Sequence, residues 1–318
     1  MKKTLLFGEP MALLIADDPV PLEKCEHFTR SMSGAEVNVG IGLTRLEHEV
    51  EYLTRLGDDP FGHYIFDELN RQGIGTGMIK YDSVFRTGIQ LKELVVDGSD
   101  PRAPYYRKGS AASHVCAEDI DRIDLADVEL IHVTGIPPAL SQSALEATVR
   151  LMERAKENKI PLTFDPNLRP ALWESQDYMI RVINKLSHFA DVVLPGIGEC
   201  EILLGTRNKE KIAAYYHSHD IKTVVIKDGK NGAFVSEKTR KGIIQITVPG
   251  YHVEHVVDTV GAGDGFAVGF LSGMLEGLSA EACAKRANAI GAIQVQHRGD
   301  NEGLPNRQQL EEAMQTMK

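Results

Sequence analysis

Asp258-Thr-Val-Gly-Ala-Gly-Asp-Gly-Phe266 is the stretch on which the reading of the fold turns. Its spacing predicts a strand ending near Val257, a glycine-rich turn, and a helix that runs on through Phe270 and Leu271. Gly261, Ala262 and Gly263 carry no side chain large enough to keep an anion away from the backbone. At a helix start their N–H groups would point at that anion, and the helix end adds about half a positive charge. Asp264 falls in the first helical turn, where the helix field favours its ionised form. A carboxylate so placed can take the proton from a hydroxyl attacking phosphorus, while the glycine nest bears the charge of the transferring group. A lone Gly-X-Gly would favour an ordinary turn before a capped helix; the nine-residue string is far more specific.

Outward from this segment, strand-like and helix-like stretches alternate. Thr4–Gly8, Val50–Leu56, Leu130–Thr134, Pro161–Asp165, Val192–Pro195 and Thr223–Lys227 read as strands. Ala35–Leu46, Pro60–Gln72 and Ser141–Asn158 read as helices, the last with an apolar stripe of Leu145, Val149, Met152 and Ala155 and with Ser141 or Ser143 as cap. The alternation predicts an α/β fold with a mostly parallel sheet covered by helices on both faces. Met11–Ala16 with Phe28–Met32, and Thr87–Val96 with Tyr105–Lys108, break it with period-2 patterns and no intervening helix. They predict a small second sheet, inserted at about 10–34 and 86–110 into one domain spanning 1–318. A dinucleotide-dependent oxidoreductase is disfavoured, because Gly8-Glu9-Pro10 follows the first strand and no Gly-X-Gly-X-X-Gly opens the next helix.

The chain has 318 residues and a formal net charge of −10, which gives no general reason to bind nucleic acid or an anionic membrane. An anionic substrate must therefore meet a local positive potential. Cys25, Cys116, Cys200 and Cys283 form no close pairs, so neither a zinc ribbon nor a disulfide framework is indicated. His252 with His255 has metal-like spacing, but no cluster completes a ligand set. Lys2-Lys3 precedes a short apolar run that Glu9 and Pro10 interrupt, so a signal peptide is not expected. No stretch approaches about 18 uninterrupted apolar residues, so a membrane span is not expected either. The expected location is the cytoplasm.

The string at 258–266 resembles the signature of the ribokinase-like (PfkB) sugar kinases. Ser33-Gly-Ala-Glu-Val-Asn-Val-Gly40 and Leu56-Gly-Asp-Asp-Pro-Phe-Gly62 match the family in its order, and the resemblance covers essentially the whole chain. It implies a ribokinase-like fold with a small β-sheet lid, ATP as phosphoryl donor, Mg²⁺, and a further monovalent cation (K⁺) as an open question. By the same resemblance Asp264 is the base and Gly261–Gly263 the anion hole, while Gly34 and Asn38 contact sugar hydroxyls. Lys227, Gly229, the turn glycine Gly232 and Gly263 border the nucleotide, and Asn288, on a helix expected over Ala280–Gln296, reaches its adenine end. Glu199 and Asp258 are the cation ligands. The family's Asn-X-X-Glu motif appears here as Gly196-Ile-Gly-Glu199, so its Asn is missing.

Tyr105-Tyr-Arg-Lys-Gly-Ser-Ala111, His132-Val-Thr-Gly-Ile136, Asp165-Pro-Asn-Leu-Arg169 and Arg298-Gly-Asp-Asn-Glu-Gly303 resemble the branch of the family that acts on 2-keto-3-deoxygluconate. The implied reaction is ATP-dependent phosphorylation of that sugar acid to 2-keto-3-deoxy-6-phosphogluconate. The acid's carboxylate gives a physical reason for two arginines, since guanidinium matches it with paired donors. The implied substrate site is Gly34, Tyr105, Arg107, Arg169 and Asp300. Gln90 stands where relatives often carry Tyr; it can hydrogen-bond but cannot pack as an aromatic would. Fructokinase or another hexose kinase is the alternative within the family, and a sugar-binding relative without turnover the alternative outside catalysis. An exposed lid edge is expected to pair with a second subunit as a dimer.

Overall fold

The computed structural model describes residues 2–96 and 101–316; residues 97–100, which fall inside the expected second lid segment, lie outside the described residues, as do residue 1 and residues 317–318. In chain order the strands are β1 (Lys3–Phe7), β2 (Met11–Ala16), β3 (Phe28–Ser33), β4 (Val50–Gly57), β5 (Gly75–Asp82), β6 (Ile89–Lys92), β7 (Tyr105–Tyr106), β8 (Val128–Thr134), β9 (Leu162–Asp165), β10 (Val192–Val193), β11 (Thr223–Lys227), β12 (Ala233–Thr239) and β13 (Gly242–Val248). A nine-stranded sheet has the order β13-β12-β11-β10-β9-β8-β1-β4-β5. From β5 to β11 neighbouring strands are parallel, and β12 and β13 complete that edge as antiparallel pairs.

Parallel neighbours require crossovers, and helices supply them on both faces. Strand alternation divides the core accordingly. On one face Leu6, Tyr52, Leu130 and Val225 pack with helices Ala35–Arg45, Ala262–Leu275 and Ala280–Gln294. On the other, Leu5, Phe7, Ile131, Val133 and Phe164 pack with Gln142–Glu157 and Gln176–Ser187. Local chemistry sets the helix starts. Asp59 accepts from the N–H groups of Phe61 (3.0 Å) and Gly62 (2.9 Å) ahead of helix Pro60–Arg71. Ser141, rather than Ser143, caps Gln142–Glu157 through the Ala144 N–H at 3.1 Å. Each such cap is worth about 1 kcal/mol.

The small sheet has four strands in the order β3-β2-β6-β7. β2 pairs antiparallel with β3 and parallel with β6, and β6 pairs antiparallel with β7. The pairing is shorter than the sequence pattern predicts: Thr87–Val96 contributes only Ile89–Lys92, and Tyr105–Lys108 only Tyr105–Tyr106. The strand expected to end near Val257 is absent. β13 stops at Val248, and 249–259 is irregular, with Val256 58% and Val257 54% exposed. The N–H groups of Val257 and Asp258 instead bond to the Val295 carbonyl, at 2.8 and 3.3 Å. β5, an edge strand with no buried apolar run, gave no periodic signal. Among the described residues, no helix is long and apolar enough to cross a membrane.

Candidate active site

The C-terminal ends of the parallel strands converge on one side of the sheet, where ligands bind in open α/β folds. Phe7 of β1 leads into Glu9, β9 ends at Asp165, β11 ends at Lys227, and the turn after β10 leads to Glu199. Opposite them starts helix Ala262–Leu275, with Gly261 as its N-terminal cap at φ 76°. A Cβ at Gly261 would stand 2.1 Å from the Asp300 carbonyl oxygen, so both the backbone conformation and the contact require glycine there. The Ala262 N–H bonds to the Thr259 carbonyl at 3.4 Å, and the N–H groups of Gly263 and Asp264 have no partner inside the helix, as an anion-binding nest would require.

Asp264, in the first turn, is held from two sides. Asn38 Nδ2 donates to Oδ2 at 2.8 Å and Asn167 Nδ2 to Oδ1 at 3.4 Å. Asn38 is oriented in turn by Asn301, whose Nδ2 donates to Asn38 Oδ1 at 3.0 Å. Asn167 takes a left-handed backbone (φ 38°), a strained conformation of the kind that gathers at functional sites. Burial pushes the Asp264 carboxyl up to about 6, against the Asn38 hydrogen bond and the nearby Arg169 and Lys227 charges, which pull it down. It is therefore ionised near neutral pH yet basic enough to accept a proton.

Lys227 is enclosed beside the nest: Nζ bonds Asp165 Oδ2 at 2.6 Å and would lie 3.9 Å from a Cβ added at Gly263. Burial works against its charge, but the Asp165 and Glu199 carboxylates win, and the ammonium is held above its ordinary range. Glu199 accepts from the N–H of Leu168 and from that of Gly196, both at 2.7 Å. Burial raises its carboxyl, with the Lys227 charge opposing. The Gly196 N–H belongs to the residue that replaces the family's Asn, so that position serves Glu199 through its backbone.

The residues expected to read the sugar fall into two groups. Arg169 is exposed, its Nη1 reaching only the Leu168 carbonyl (3.0 Å) and the Asn167 carbonyl (3.4 Å). Arg107 is 8% exposed and already engaged, its Nε bonding Glu9 at 2.5 Å and its Nη2 also contacting that carboxylate. Ser110 Oγ donates to the same carboxylate. Tyr105 is half exposed on β7, with the Arg107 guanidinium 5.7 Å from its ring centre. Gln90 is buried and accepts from Ser33 Oγ at 2.5 Å. Gly34 caps helix Ala35–Arg45. Asp300 and Asp258 are brought together by a residue the sequence reading did not single out. Lys92 Nζ lies 3.2 Å from Asp300 Oδ1 and 3.5 Å from Asp258 Oδ2.

A family model described as pfkB family carbohydrate kinase matches residues 1–307. The chain belongs to the PfkB carbohydrate kinases. A 2-dehydro-3-deoxygluconokinase of Bacillus subtilis is 42% identical over 96% of this chain and 93% of that protein. One of Thermoproteus tenax is 32% identical over 100% and 95%. Among solved structures, a PfkB protein of Polaromonas sp. JS666 superposes with a TM-score of 0.89 at 40% identity, covering 98% of this chain and 99% of that one. The fold is thus the ribokinase-like α/β fold expected from the sequence, with the small sheet beside the main one.

Of the residues expected to border the nucleotide, Gly229 opens a short helical turn, Gly229–Asn231, and Gly232 follows at φ 88°, where a Cβ would lie 2.1 Å from the Val248 carbonyl oxygen. Asn288 is buried and donates to the carbonyls of Val248 (3.2 Å) and Pro249 (2.9 Å), leaving its oxygen as the group it can offer elsewhere. Sequence reasoning passed over Asp165, Asn167, Glu9, Glu36 and Lys92. Asp165 and Asn167 lay inside a quoted motif at a strand end, a usable signal. Lys92 shares the buried face of β6 with Gln90 two residues away, which the period of 2 could have indicated. Glu36, fully buried and bonded by Thr134 Oγ1, has its carboxyl pushed up by burial to about 7, and no local pattern announces it.

Proposed function

We propose that this kinase phosphorylates 2-keto-3-deoxygluconate (2-dehydro-3-deoxygluconate) at its terminal hydroxyl, with ATP as donor. The observation that carries the reading is Asp264: a carboxylate at the mouth of the glycine nest, oriented by two asparagines, with its acidity weakened to about 6. Asp264 accepts the hydroxyl proton, and the N–H groups of Gly261–Gly263 meet the charge on the transferring phosphoryl group. Lys227, beside Gly263 and paired with Asp165, holds that side of the site in shape. Asn38 orients Asp264 and presents its amide near the sugar, and the small sheet covers the sugar and keeps out water that would otherwise consume ATP.

Mg²⁺ fits this site only as a partner of the nucleotide. Among the described residues no group of three or more His, Cys, Asp or Glu is arranged to hold a metal ion. Each Glu199 oxygen accepts one backbone N–H and retains lone-pair capacity for a metal-bound water, in keeping with the many waters Mg²⁺ retains. When bound, Mg²⁺ would neutralise phosphate charge. Gly229, Gly232 and Asn288 would line the nucleotide, in a cytoplasmic enzyme whose small-sheet edges pair two subunits.

The sugar-acid assignment is supported by the 42% and 32% identical relatives and by exposed Arg169 beside the base. Arg107 points the other way: its Nε and Nη2 are engaged by Glu9, which leaves weaker provision for a substrate carboxylate, so a neutral hexose is the second reading. An ATP-coupled assay offering 2-keto-3-deoxygluconate, its C4 epimer, fructose and ribose separates them. A kcat/KM highest for the two acids supports the assignment; a preference for fructose replaces it with the hexose reading.

A further inference from the structure

Lys92 sits on β6, in the small sheet, yet its ammonium lies between two carboxylates of the main body, 166 and 208 positions further along the chain. The three side chains are almost enclosed, with Lys92 10%, Asp258 16% and Asp300 13% exposed. The carboxylates belong to the two segments that build the nest. Asp258 Oδ1 accepts from the Val260 N–H at 3.0 Å, one residue before Gly261. The Asp300 carbonyl is the group against which Gly261 is packed. Gln294 stitches the same two segments, donating from Nε2 to the carbonyls of Val260 (3.4 Å) and Gly299 (2.8 Å). The arrangement places two negative charges directly behind a nest that must attract an anion, and one positive charge, carried by the small sheet, between them.

We infer that Lys92 is a positioning residue: its ammonium is the built-in cation of the Asp258–Asp300 pair, locking the small sheet onto the two segments that shape the Gly261–Gly263 nest. The inference rests on the reading of that nest as the phosphoryl site. With the ammonium in place, the net charge of the group falls from −2 to −1, and repulsion within the pair and toward an incoming phosphate is reduced. Without it, the segments on either side of Gly261 separate, and the N–H groups lose their aim. A tethered ammonium and a free monovalent ion of similar size are chemically interchangeable between two carboxylates. The vacancy left by removing Lys92 should therefore accept potassium or ammonium, whereas tetramethylammonium is too bulky and has no N–H to donate.

The test compares wild type, Lys92→Met and Lys92→Arg with ATP and 2-keto-3-deoxygluconate, in potassium, ammonium or tetramethylammonium chloride at equal ionic strength. Thermal melting is followed in the same salts. Wild type should show the same kcat and melting temperature in all three. Lys92→Met in tetramethylammonium should lose about 10²-fold in kcat, the cost of a small misplacement of reacting groups. It should regain most of that loss, and melting temperature with it, saturably as potassium or ammonium is added. Lys92→Arg, which keeps the charge, should stay near wild type in every salt. A Lys92→Met enzyme that keeps its kcat in tetramethylammonium, or one whose kcat and melting temperature are the same in all three salts, overturns the inference. So does a wild type that needs potassium to turn over. Melting alone decides the matter if Lys92→Met folds but is too slow to assay. A wild type inactive on every sugar would sink the functional reading instead, and the melting arm would still judge the role of Lys92.

Discussion

Replacing Asp264 by Asn tests two claims at once, because the proposed mechanism gives that carboxylate a catalytic duty and its burial gives it a folding cost. Its carboxyl stands at about 6 instead of the ordinary 3.8, mainly through burial. Such a group takes up a proton more readily folded than unfolded, so its share of stability is full below about pH 4 and is lost as pH rises through about 6. At about 1.4 kcal/mol for each pH unit, the loss by about pH 8 is about 3 kcal/mol. Asn carries no charge and escapes it. Its oxygen can still accept from Asn38, but its NH₂ then faces the Asn167 NH₂, which gives back about 1 kcal/mol. Asp264→Asn should therefore be about 2 kcal/mol more stable than wild type at pH 8, a rise of about 2–4 °C in melting temperature for a chain of this size. The advantage should vanish near pH 4. Turnover should fall by about 10²–10⁴-fold while nucleotide and sugar still bind. Paired melts at pH 4 and 8, with an ATP-coupled assay, read both effects. Near-normal turnover would remove Asp264 from the mechanism; a stability difference that does not change with pH would refute its burial as the cause of the raised value.

Three further substitutions probe the surrounding groups. Asn38→Ala removes a hydrogen bond that favours the ionised Asp264, so the acid limb of kcat/KM should move to higher pH by about one unit, measured as a pH–rate profile between 5 and 9. Arg169→Leu should depress kcat/KM for the sugar acid far more than for any residual neutral sugar, and equal losses would mean that this arginine does not read the carboxylate. Arg107→Met should cost about 3–5 kcal/mol in urea unfolding at pH 8 by stranding the buried Glu9 carboxylate, less at pH 5 where Glu9 can take up a proton, and Glu9→Gln placed in the same chain should recover part of it.

What the sequence revealed, and what it did not, follows from how local each signal is. The nest, Asp264, and the parallel strands ending at Asp165 and Lys227 were legible because a glycine string and apolar runs are contiguous in the chain. The same contiguity misled at Val256-Val257: two valines suggested a strand where the backbone instead bonds to the Val295 carbonyl, just past the end of helix Ala280–Gln294. Side-chain pairing was the least legible layer. Arg107 read as a ligand for a substrate carboxylate because Glu9 lies 98 positions away, and nothing at residues 105–111 shows that the two meet. Asp258 and Asp300 likewise read as separate ligands for a cation and for the sugar, and nothing local to either shows that Lys92 of β6 reaches both.

These pairings bear on how an acidic chain would hold the two anionic substrates proposed for it. The buried cations near the site are already matched: Lys227 by Asp165, Lys92 by Asp258 and Asp300, Arg107 by Glu9. An unmatched buried cation would carry a desolvation penalty of several kcal/mol whenever the site stood empty. Backbone N–H groups at a helix start carry no net charge and incur no such penalty, yet they offer a fixed positive potential to whatever arrives. On the proposed reading, the attraction for phosphate would lie in the Gly261–Gly263 N–H groups, which need no counter-ion, and the matched lysines would hold that segment in shape. Exposed Arg169 is the exception, because solvent screens its charge until a substrate displaces the water. Added salt should accordingly raise KM for the sugar acid more steeply than KM for ATP. The reverse order would place the main phosphate attraction on mobile surface charge and not on the nest.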